Sequence, residues 1–195
     1  MEKEEMRGEP VVQHKNWSLY PLEKKDVLKI MEWRNAQMEV LRQWKPLTLY
    51  NQEEWWKKLS TDPTQVIFAI IYKNEREERE LIGYCGLLNI DFRNRRAELS
   101  FLVEPSRAAN HSLYEKDFCA VLQMLCQYGF ESLNLNKIFT ETFSFRKFHI
   151  SILEKFGFKL EGRLREHQFE RGKFWDSLIH SILLSDWRGK DESRG

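Results

Sequence analysis

Glycine, proline and cysteine are all scarce in this chain of 195 residues, which has nine glycines, five prolines and three cysteines. The cysteines show no metal-ligand or redox spacing, and their small number excludes a disulfide-rich secreted scaffold. Cys119 and Cys126 lie seven residues apart in an apolar helical pattern. We therefore predict that Cys85, Cys119 and Cys126 are buried thiols of a cytoplasmic protein.

An excess of charge of one sign is missing as well. The chain carries 31 basic and 30 acidic residues, for a net charge of +1, whereas a nucleic-acid-binding protein normally shows a clear basic excess. No apolar run approaches the roughly 20 residues that span a bilayer. The charged N-terminus, MEKEEMRGEP, has no apolar segment of the kind found in a signal peptide. We expect neither nucleic acid nor a membrane as a partner.

What the sequence does contain is a regular alternation of hydrophobic periods. Apolar residues repeat with helical spacing in 24–42, from Asn51 onward, in 118–130 and in 147–156, and they follow strand patterns elsewhere. The predicted strands cover 16–22, 66–72, 81–91, 96–105, 136–143, 158–169 and 174–184. The order is β-αα-βββ-α-β-α-ββ. This order predicts an α/β (α+β) fold with a mixed, mostly antiparallel central sheet flanked by helices.

The length suits one domain with a sizeable core. We expect a mobile N-terminal tail over residues 1–15, in which Val11 and Val12 could pair weakly, a domain over 16–187 and a polar C-terminal tail over 188–195. Asn51 is the predicted cap of the second helix. Gly157 is the expected C-terminal stop of the helix 147–156.

Four segments, taken in order, resemble the GNAT superfamily of N-acetyltransferases. They are MEWRN with LRQW and EEWWKKL in 31–59, LIGYCGLLNID with RAELSFLVEP in 81–105, YGFESLNLNKIFTETF in 128–143, and ILEKFGFKLEGRLREHQFERGKFWDSLIHSILLSDW in 152–187. Each segment alone is weak evidence for the family. Taken in this order and at this spacing, the segments extend the resemblance over about residues 16–187. The branch with this pattern acts on ribosomal-protein N-termini, polyamines and aminosugars.

The resemblance implies a reaction and its partners. An acetyl or related acyl group would pass from acetyl-CoA, as cosubstrate, to a primary amine. The acceptor would most plausibly be a nucleotide-linked aminosugar, and next a protein N-terminus or a polyamine. A homodimer is left open. The competing hypothesis is a non-catalytic binding or assembly domain that keeps the fold with a degenerate coenzyme A loop, because fold does not fix function.

The coenzyme A loop departs from the family pattern. Members of the family carry glycines between the central strand and its helix, where backbone N–H groups approach the pyrophosphate. Here 105–118 has no glycine. Arg107, Asn110 and Ser112 could form a modified cradle, or the loop could hold an insertion with the helix starting near Lys116. Ser112 and Glu115 also resemble a capping box. The resemblance implies cofactor contacts from Leu102, Val103, Arg107, Asn110, His111, Ser112, Lys116 and Arg146.

A second departure concerns the proton donor for the leaving thiolate. The family often has an asparagine and, seven residues later, a tyrosine that serves as this acid. Arg146 and Leu153 occupy these positions. Arg146 could contact a phosphate or lie on a charged surface. Ser151 is the alternative thiolate donor that we consider.

Acyl transfer to an amine also needs a base, since an ammonium like that of lysine has a pKa near 10. Glu98 stands in an otherwise apolar strand and is our candidate base, directly or through water, with a paired structural carboxylate as the alternative. In the family the first helices wall the acceptor cleft, which makes Trp33, Arg34 and Trp44 candidate substrate contacts, joined by Trp175 in the last strand. No pair of His, Asp or Glu has metal-ligand spacing, so we expect no metal.

Overall fold

A computed structural model describes the backbone of residues 7–192 and the side chains of residues 7–189. Its eight strands form one sheet, in the order β1-β2-β3-β4-β5-β6-β8-β7. They are β1 Val12–His14, β2 Trp17–Pro21, β3 Val66–Lys73, β4 Arg79–Asp91, β5 Arg96–Val103, β6 Lys137–Phe143, β7 Lys159–Glu170 and β8 Lys173–Leu183. Only β5 and β6 pair in parallel. The predicted mixed, mostly antiparallel sheet is confirmed.

Six α-helices accompany the sheet in the described residues. They are α1 Val27–Ala36, α2 Leu49–Leu59, α3 Pro105–Ala109, α4 His111–Gln127, α5 Lys147–Phe156 and α6 Leu184–Glu192. Short 3-10 turns cover Lys24–Asp26 and Met38–Val40, and a π turn covers Tyr128–Ser132. No described helix is long and apolar enough to cross a membrane.

The sheet separates two hydrophobic clusters. The face covered by α4, α5 and α6 holds the larger cluster, which includes Phe118, Leu125 and Ile152. The face covered by α1 and α2 holds the smaller one, built around Ile30 and Trp33. Successive side chains of a strand point to opposite faces. Consequently Glu98 lies on the α1–α2 side of β5, while Leu99 enters the larger cluster.

The described residues near each chain end form regular elements that the sequence did not predict. Residues expected to be a mobile tail contain β1, which pairs with β2 from Val12 to His14. Val11 also donates its N–H to Leu19 O at 2.8 Å, so the weak pairing foreseen for Val11 and Val12 extends to a strand. At the other end α6 runs on to Glu192. Residues 1–6 and 193–195 of the expected tails lie outside the described residues.

Helix caps differ from the sequence expectation at two places. Helix α2 begins at Leu49, and the cap is Thr48, whose hydroxyl accepts from Asn51 N–H in a capping box; Asn51 is therefore its partner and not the cap. Helix α4 begins at His111 and not near Lys116. The oxygen of the Asn110 side chain accepts from Ser112 N–H at 3.1 Å and Leu113 N–H at 3.2 Å. Asn110 thereby takes the capping place expected of Ser112.

Gly157 ends α5 as predicted. Its φ of 106° lies in the left-handed region, which glycine adopts without strain. Its N–H satisfies carbonyls of the last helical turn.

Cys85 and Cys126 are buried as expected, but Cys119 is only half-buried, because it lies on the outer face of α4.

Removing the α4 cap gives a direct test of the local structure. We expect Asn110→Ala to lower the free energy of unfolding by about 1 kcal/mol, because two N–H groups lose their acceptor. Urea denaturation measures the change. Asn110→Asp keeps an oxygen at the helix N-terminus and should stay close to the wild type. Equal losses in both variants would contradict the cap.

Candidate active site

The site begins where β5 and β6 stop pairing. Their parallel register runs from Arg96/Lys137 to Glu98/Phe139 only. Beyond that point β5 continues to Val103 and β6 to Phe143. Alternate residues of a strand bond to opposite neighbours. Part of the N–H and C=O groups of 99–103 therefore face an opening between the two strands, and Gln37 Nε2 caps one of them, Val103 O, at 2.8 Å.

Two cavities meet in this opening. The smaller one, about 80 Å³, is polar and lies against Glu98, Glu141 and Arg42. The larger one, about 360 Å³, lies beside it and is within the size range of small-ligand sites. They share four lining residues, Val40, Phe101, Arg146 and His149. The result is one cleft with a narrow polar end and a wider end between α4 and α5.

Glu98 lies at the narrow end and is held there by two neighbours. A bulge in β4, where the register with β5 shifts between Leu88 and Asp91, puts Asn89 in the left-handed region with φ of 50°. Asparagine tolerates that region better than most residues. Its amide donates to Glu98 Oε2 at 2.8 Å. Arg42 forms an ion pair with Glu98 Oε1.

A second carboxylate faces the same cation. Glu141, on β6, accepts from Arg42 at 3.2 Å. The side chains of Glu98 and Glu141 are only 6% and 12% exposed, whereas that of Arg42 is 53% exposed. His167 Nε2 lies 3.7 Å from Glu141 Oε1. The narrow end therefore holds one buried and one largely buried carboxylate, bridged by one partly exposed arginine.

A hydrogen-bonded group of three side chains lies where the two cavities join. Arg146, just before α5, donates to the Tyr114 hydroxyl at 2.9 Å. The same hydroxyl is 2.7 Å from His149 Nδ1. Burial raises the pKa of Tyr114, and the neighbouring Arg146 acts against that rise. Tyr114 therefore keeps its proton at neutral pH and can donate it.

His149 is neutral in this setting. Its ring stacks on Phe118 with a centroid distance of 4.2 Å and is buried. Burial lowers the pKa of His149 well below its usual value, and the charges of Arg146 and His180 lower it further. A neutral imidazole can donate or accept at Nδ1, depending on its tautomer.

The eight expected cofactor contacts divide into three groups. Four of them line the wider cavity: Leu102, Val103, His111 and Arg146. His111 stacks on Phe148 with a centroid distance of 4.2 Å. Ser112 and Lys116 instead line a separate groove on the outer face of α4. The structure thus brings Arg146 and His111 together but not Arg146 and Lys116.

Arg107 and Asn110 are engaged in other interactions. The Arg107 guanidinium makes two hydrogen bonds of 2.7 Å to Asp117, which is fully buried, and lies 4.9 Å from the Tyr72 ring centroid. Asn110 has φ of −97° and serves as the α4 cap. It does not adopt the positive φ by which it could imitate glycine. Both residues are occupied by contacts that stabilise the start of α4.

The candidate acceptor residues also lie in different surroundings. Trp33 is buried in the smaller core cluster. Arg34 donates to Gln43 Oε1 at 3.1 Å. Trp44 is 85% exposed, on the segment between α1 and α2. Trp175 donates its indole N–H to Glu170 O and packs on Phe145, a residue of the wider cavity wall.

Neither of the two α5 residues considered for protonation of the thiolate is directed into the cleft. Ser151 donates its hydroxyl to Phe148 O at 2.8 Å within the helix. Leu153 is fully buried in the larger core cluster. A tyrosine nevertheless reaches the cleft from the neighbouring helix, as Tyr114.

Sequence reasoning missed Tyr114, Asn89, Arg42 and Glu141. A weak signal existed for Glu141, since it is the single acid of β6, as Glu98 is the single acid of β5. No local signal existed for Arg42, because it lies in irregular backbone and meets the carboxylates 56 and 99 positions away.

Comparisons with known proteins agree with this architecture. Residues 19–179 match the family model described as acetyltransferase (GNAT) domain. The chain belongs to the GNAT acetyltransferase family. The predicted family is thus confirmed. The predicted class of enzyme, an acetyl-CoA-dependent N-acetyltransferase, is confirmed at the level of the family.

Relatives of this GNAT chain carry related names. An uncharacterized N-acetyltransferase p20 of Bacillus licheniformis is 35% identical over 63% of the chain, and the match spans 64% of that relative's length. Spermidine N(1)-acetyltransferase of Vibrio cholerae is 26% identical over 90% of the chain and 97% of its own length. The crystal structure of Vibrio cholerae spermidine N-acetyltransferase with CoA and spermine has a TM-score of 0.75 at 24% identity, over 90% of this chain and 99% of that one. That likeness shows the fold.

The buried, neutral state of His149 makes stability depend on pH. Its pKa is lower in the folded than in the unfolded chain, so the unfolded state takes up the proton first as the pH falls below about 6.5. We expect the free energy of unfolding to fall from pH 7 toward pH 5 more steeply in the wild type than in His149→Gln. The difference in slope should approach about 1.4 kcal/mol per pH unit. Urea denaturation at several pH values measures it, and equal slopes would contradict a depressed His149 pKa.

Proposed function

We propose that this chain transfers the acetyl group of acetyl-CoA to a primary amine of a cationic, polyamine-type acceptor. The observation that carries the proposal is the placement of Glu98 and Glu141 where β5 and β6 part. Two buried carboxylates attract an ammonium group and leave it close to the open edge of β5. An acceptor amine held there lies at the narrow end of the cleft, in the cavity that adjoins the wider one.

The wider cavity suits the acyl donor. Open backbone groups of β5 can pair with an amide-bearing arm, and Arg146, Lys147, Arg171 and His111 around the cavity suit phosphates. Acetyl-CoA supplies a thioester as the electrophile. Side chains of the protein orient the amine, remove its proton and protonate the thiolate.

Glu98 is the proposed base, directly or through one water. As the C–N bond forms, the ammonium proton goes to its carboxylate. Tyr114 is the proposed acid. It gives its hydroxyl proton to the leaving thiolate, while Arg146 stabilises the resulting phenolate until solvent returns a proton. A thiolate with a pKa of about 8.5 needs only modest help. Burial of Tyr114 raises its pKa and opposes the transfer, whereas Arg146 lowers that pKa and favours it.

The acceptor was expected from sequence to be a nucleotide-linked aminosugar first and a polyamine later. The carboxylate pair favours the polyamine, since it complements a chain of positive charges and repels a nucleotide phosphate. The names of the Vibrio cholerae relatives, which act on spermidine, support the same choice. Trp44, exposed two positions after Arg42 in the sequence, is a proposed contact for the aliphatic part of such an acceptor.

Acetylation assays test this function. We expect acetyl-CoA-dependent acetylation of spermidine, detected by thiol release and by product mass, with weaker use of a nucleotide-linked aminosugar and of a peptide N-terminus. Glu98→Gln should lower turnover by about 10² to 10⁴-fold and change acetyl-CoA affinity little. Glu104→Gln, which lies outside both cavity walls, is the matched control. No turnover and no calorimetric binding of acetyl-CoA would favour the non-catalytic hypothesis.

The proposed acid gives a separate prediction. We expect Tyr114→Phe, which keeps the ring in the core, to lower kcat by about ten- to a hundredfold with acetyl-CoA affinity nearly unchanged. Tyr128→Phe removes a hydroxyl on the π turn after α4 and controls for general loss of a tyrosine. Steady-state kinetics on both variants measure the effect. Wild-type kcat in Tyr114→Phe would remove this hydroxyl from the mechanism.

A further inference from the structure

Arg42 bridges the two carboxylates to which the acceptor ammonium is assigned. We propose that its guanidinium occupies the acceptor subsite, competes with the acceptor ammonium for the two carboxylates, and rotates out of the subsite when the acceptor binds. This inference rests on the proposed function and deepens it, because it names the residue that selects the acceptor.

The burial of the three side chains has the asymmetry that a displaceable cation needs. Glu98 and Glu141 are almost fully covered and are fixed on two strands, while half of the Arg42 side chain is in solvent. A solvated arginine loses little when it leaves. The carboxylates, in contrast, would be left without a cation in a buried place, unless another cation replaced Arg42.

Hydrogen bonds hold the segment on both sides of Arg42 in place. We therefore expect the side chain of Arg42 to move while its backbone stays fixed. Val40 O accepts from Arg146 at 3.4 Å. On the other side, Gln43 Nε2 donates to Asn35 Oδ1 at 2.9 Å, and Asn35 also binds both backbone groups of Leu47. Rotation about the Arg42 side-chain bonds would open the narrow end without moving α1 or α2.

Arg42 also leaves the carboxylate pair incompletely satisfied. Glu141 Oε1 is buried and makes no hydrogen bond within the described part of the chain; His167, the basic group beside it, is 3.7 Å away. A primary ammonium carries three N–H donors. An ammonium placed between Glu98 and Glu141 can bind both, including the Glu141 oxygen that the bound guanidinium leaves without a hydrogen bond.

This competition favours acceptors that carry several positive charges. An amine must supply enough electrostatic attraction to replace Arg42, and a second charge near the acidic pair adds to that attraction. A neutral or anionic amine-bearing molecule lacks this driving force. Arg42 is thus the proposed specificity-determining residue of the acceptor site.

Calorimetric titration with spermidine, without acetyl-CoA, tests the competition. We expect Arg42→Gln to bind spermidine at least about fivefold more tightly than the wild type, because the competing ion pair is gone. Arg42→Lys should remain near the wild type. Lys45→Gln removes a neighbouring cation, which lies over the Trp44 ring, and should change affinity by less than about twofold if the effect is specific to the bridge.

The double variant Arg42→Gln/Glu141→Gln completes the test, because it should lose the gained affinity. Unchanged, weaker or undetectable spermidine binding in Arg42→Gln would overturn the inference, as would an equal gain in Lys45→Gln. These titrations do not involve acyl transfer. Wild-type turnover of spermidine combined with no gain in Arg42→Gln would therefore sink this inference alone, whereas a gain in affinity without turnover by any variant would count against the proposed function.

Discussion

The architecture of the site depends on the early end of pairing between β5 and β6. These strands form the only parallel pair of the described sheet, and they separate after Glu98 and Phe139. If they remained paired to their ends, the sheet would be continuous and Glu98 and Glu141 would have no cavity to face. Separation exposes backbone groups of β5, whose burial without partners would be costly. That need makes the opening a natural place for an amide-containing ligand.

Different elements of the fold supply acidic and basic side chains to this opening. The strands bring carboxylates to the narrow end, and the segment between α1 and α2 brings Arg42. Helices α4 and α5 bring Tyr114, His149 and a basic rim to the wider end. In the proposed function, the acidic end binds the ammonium of the acceptor and the basic end binds the phosphates of acetyl-CoA. This separation of charge would favour one orientation of the two substrates.

The start of α4 explains how a glycine-free loop remains compatible with the fold. Family members place glycines there, but in this chain Asn110 caps the helix and the buried Arg107–Asp117 pair fixes the loop. With its first N–H groups already satisfied, this helix end is a weaker anion site than an open one. In the proposed function, the other basic side chains of the wider cavity, His111, Lys147 and Arg171, then carry more of the phosphate binding.

The sequence by itself determined the order of the longer elements and the fold class, because these follow from hydrophobic periodicity. The resemblance of its segments gave the family. The sequence also marked one acid in an apolar strand, Glu98, as a candidate site residue. It could not determine which side chains meet across the cleft. Arg42 contacts Glu98 and Glu141, which are 56 and 99 positions away in the sequence. Tyr114 reaches the cleft from α4, whereas Leu153, at the position on α5 where the family often has a tyrosine, is in the core. Caps at Thr48 and Asn110, and the strand at 12–14, also depended on partners that only the folded backbone provides. Local pattern records which face of an element is buried, whereas the chemistry of the cleft depends on contacts between elements, which only the tertiary structure fixes.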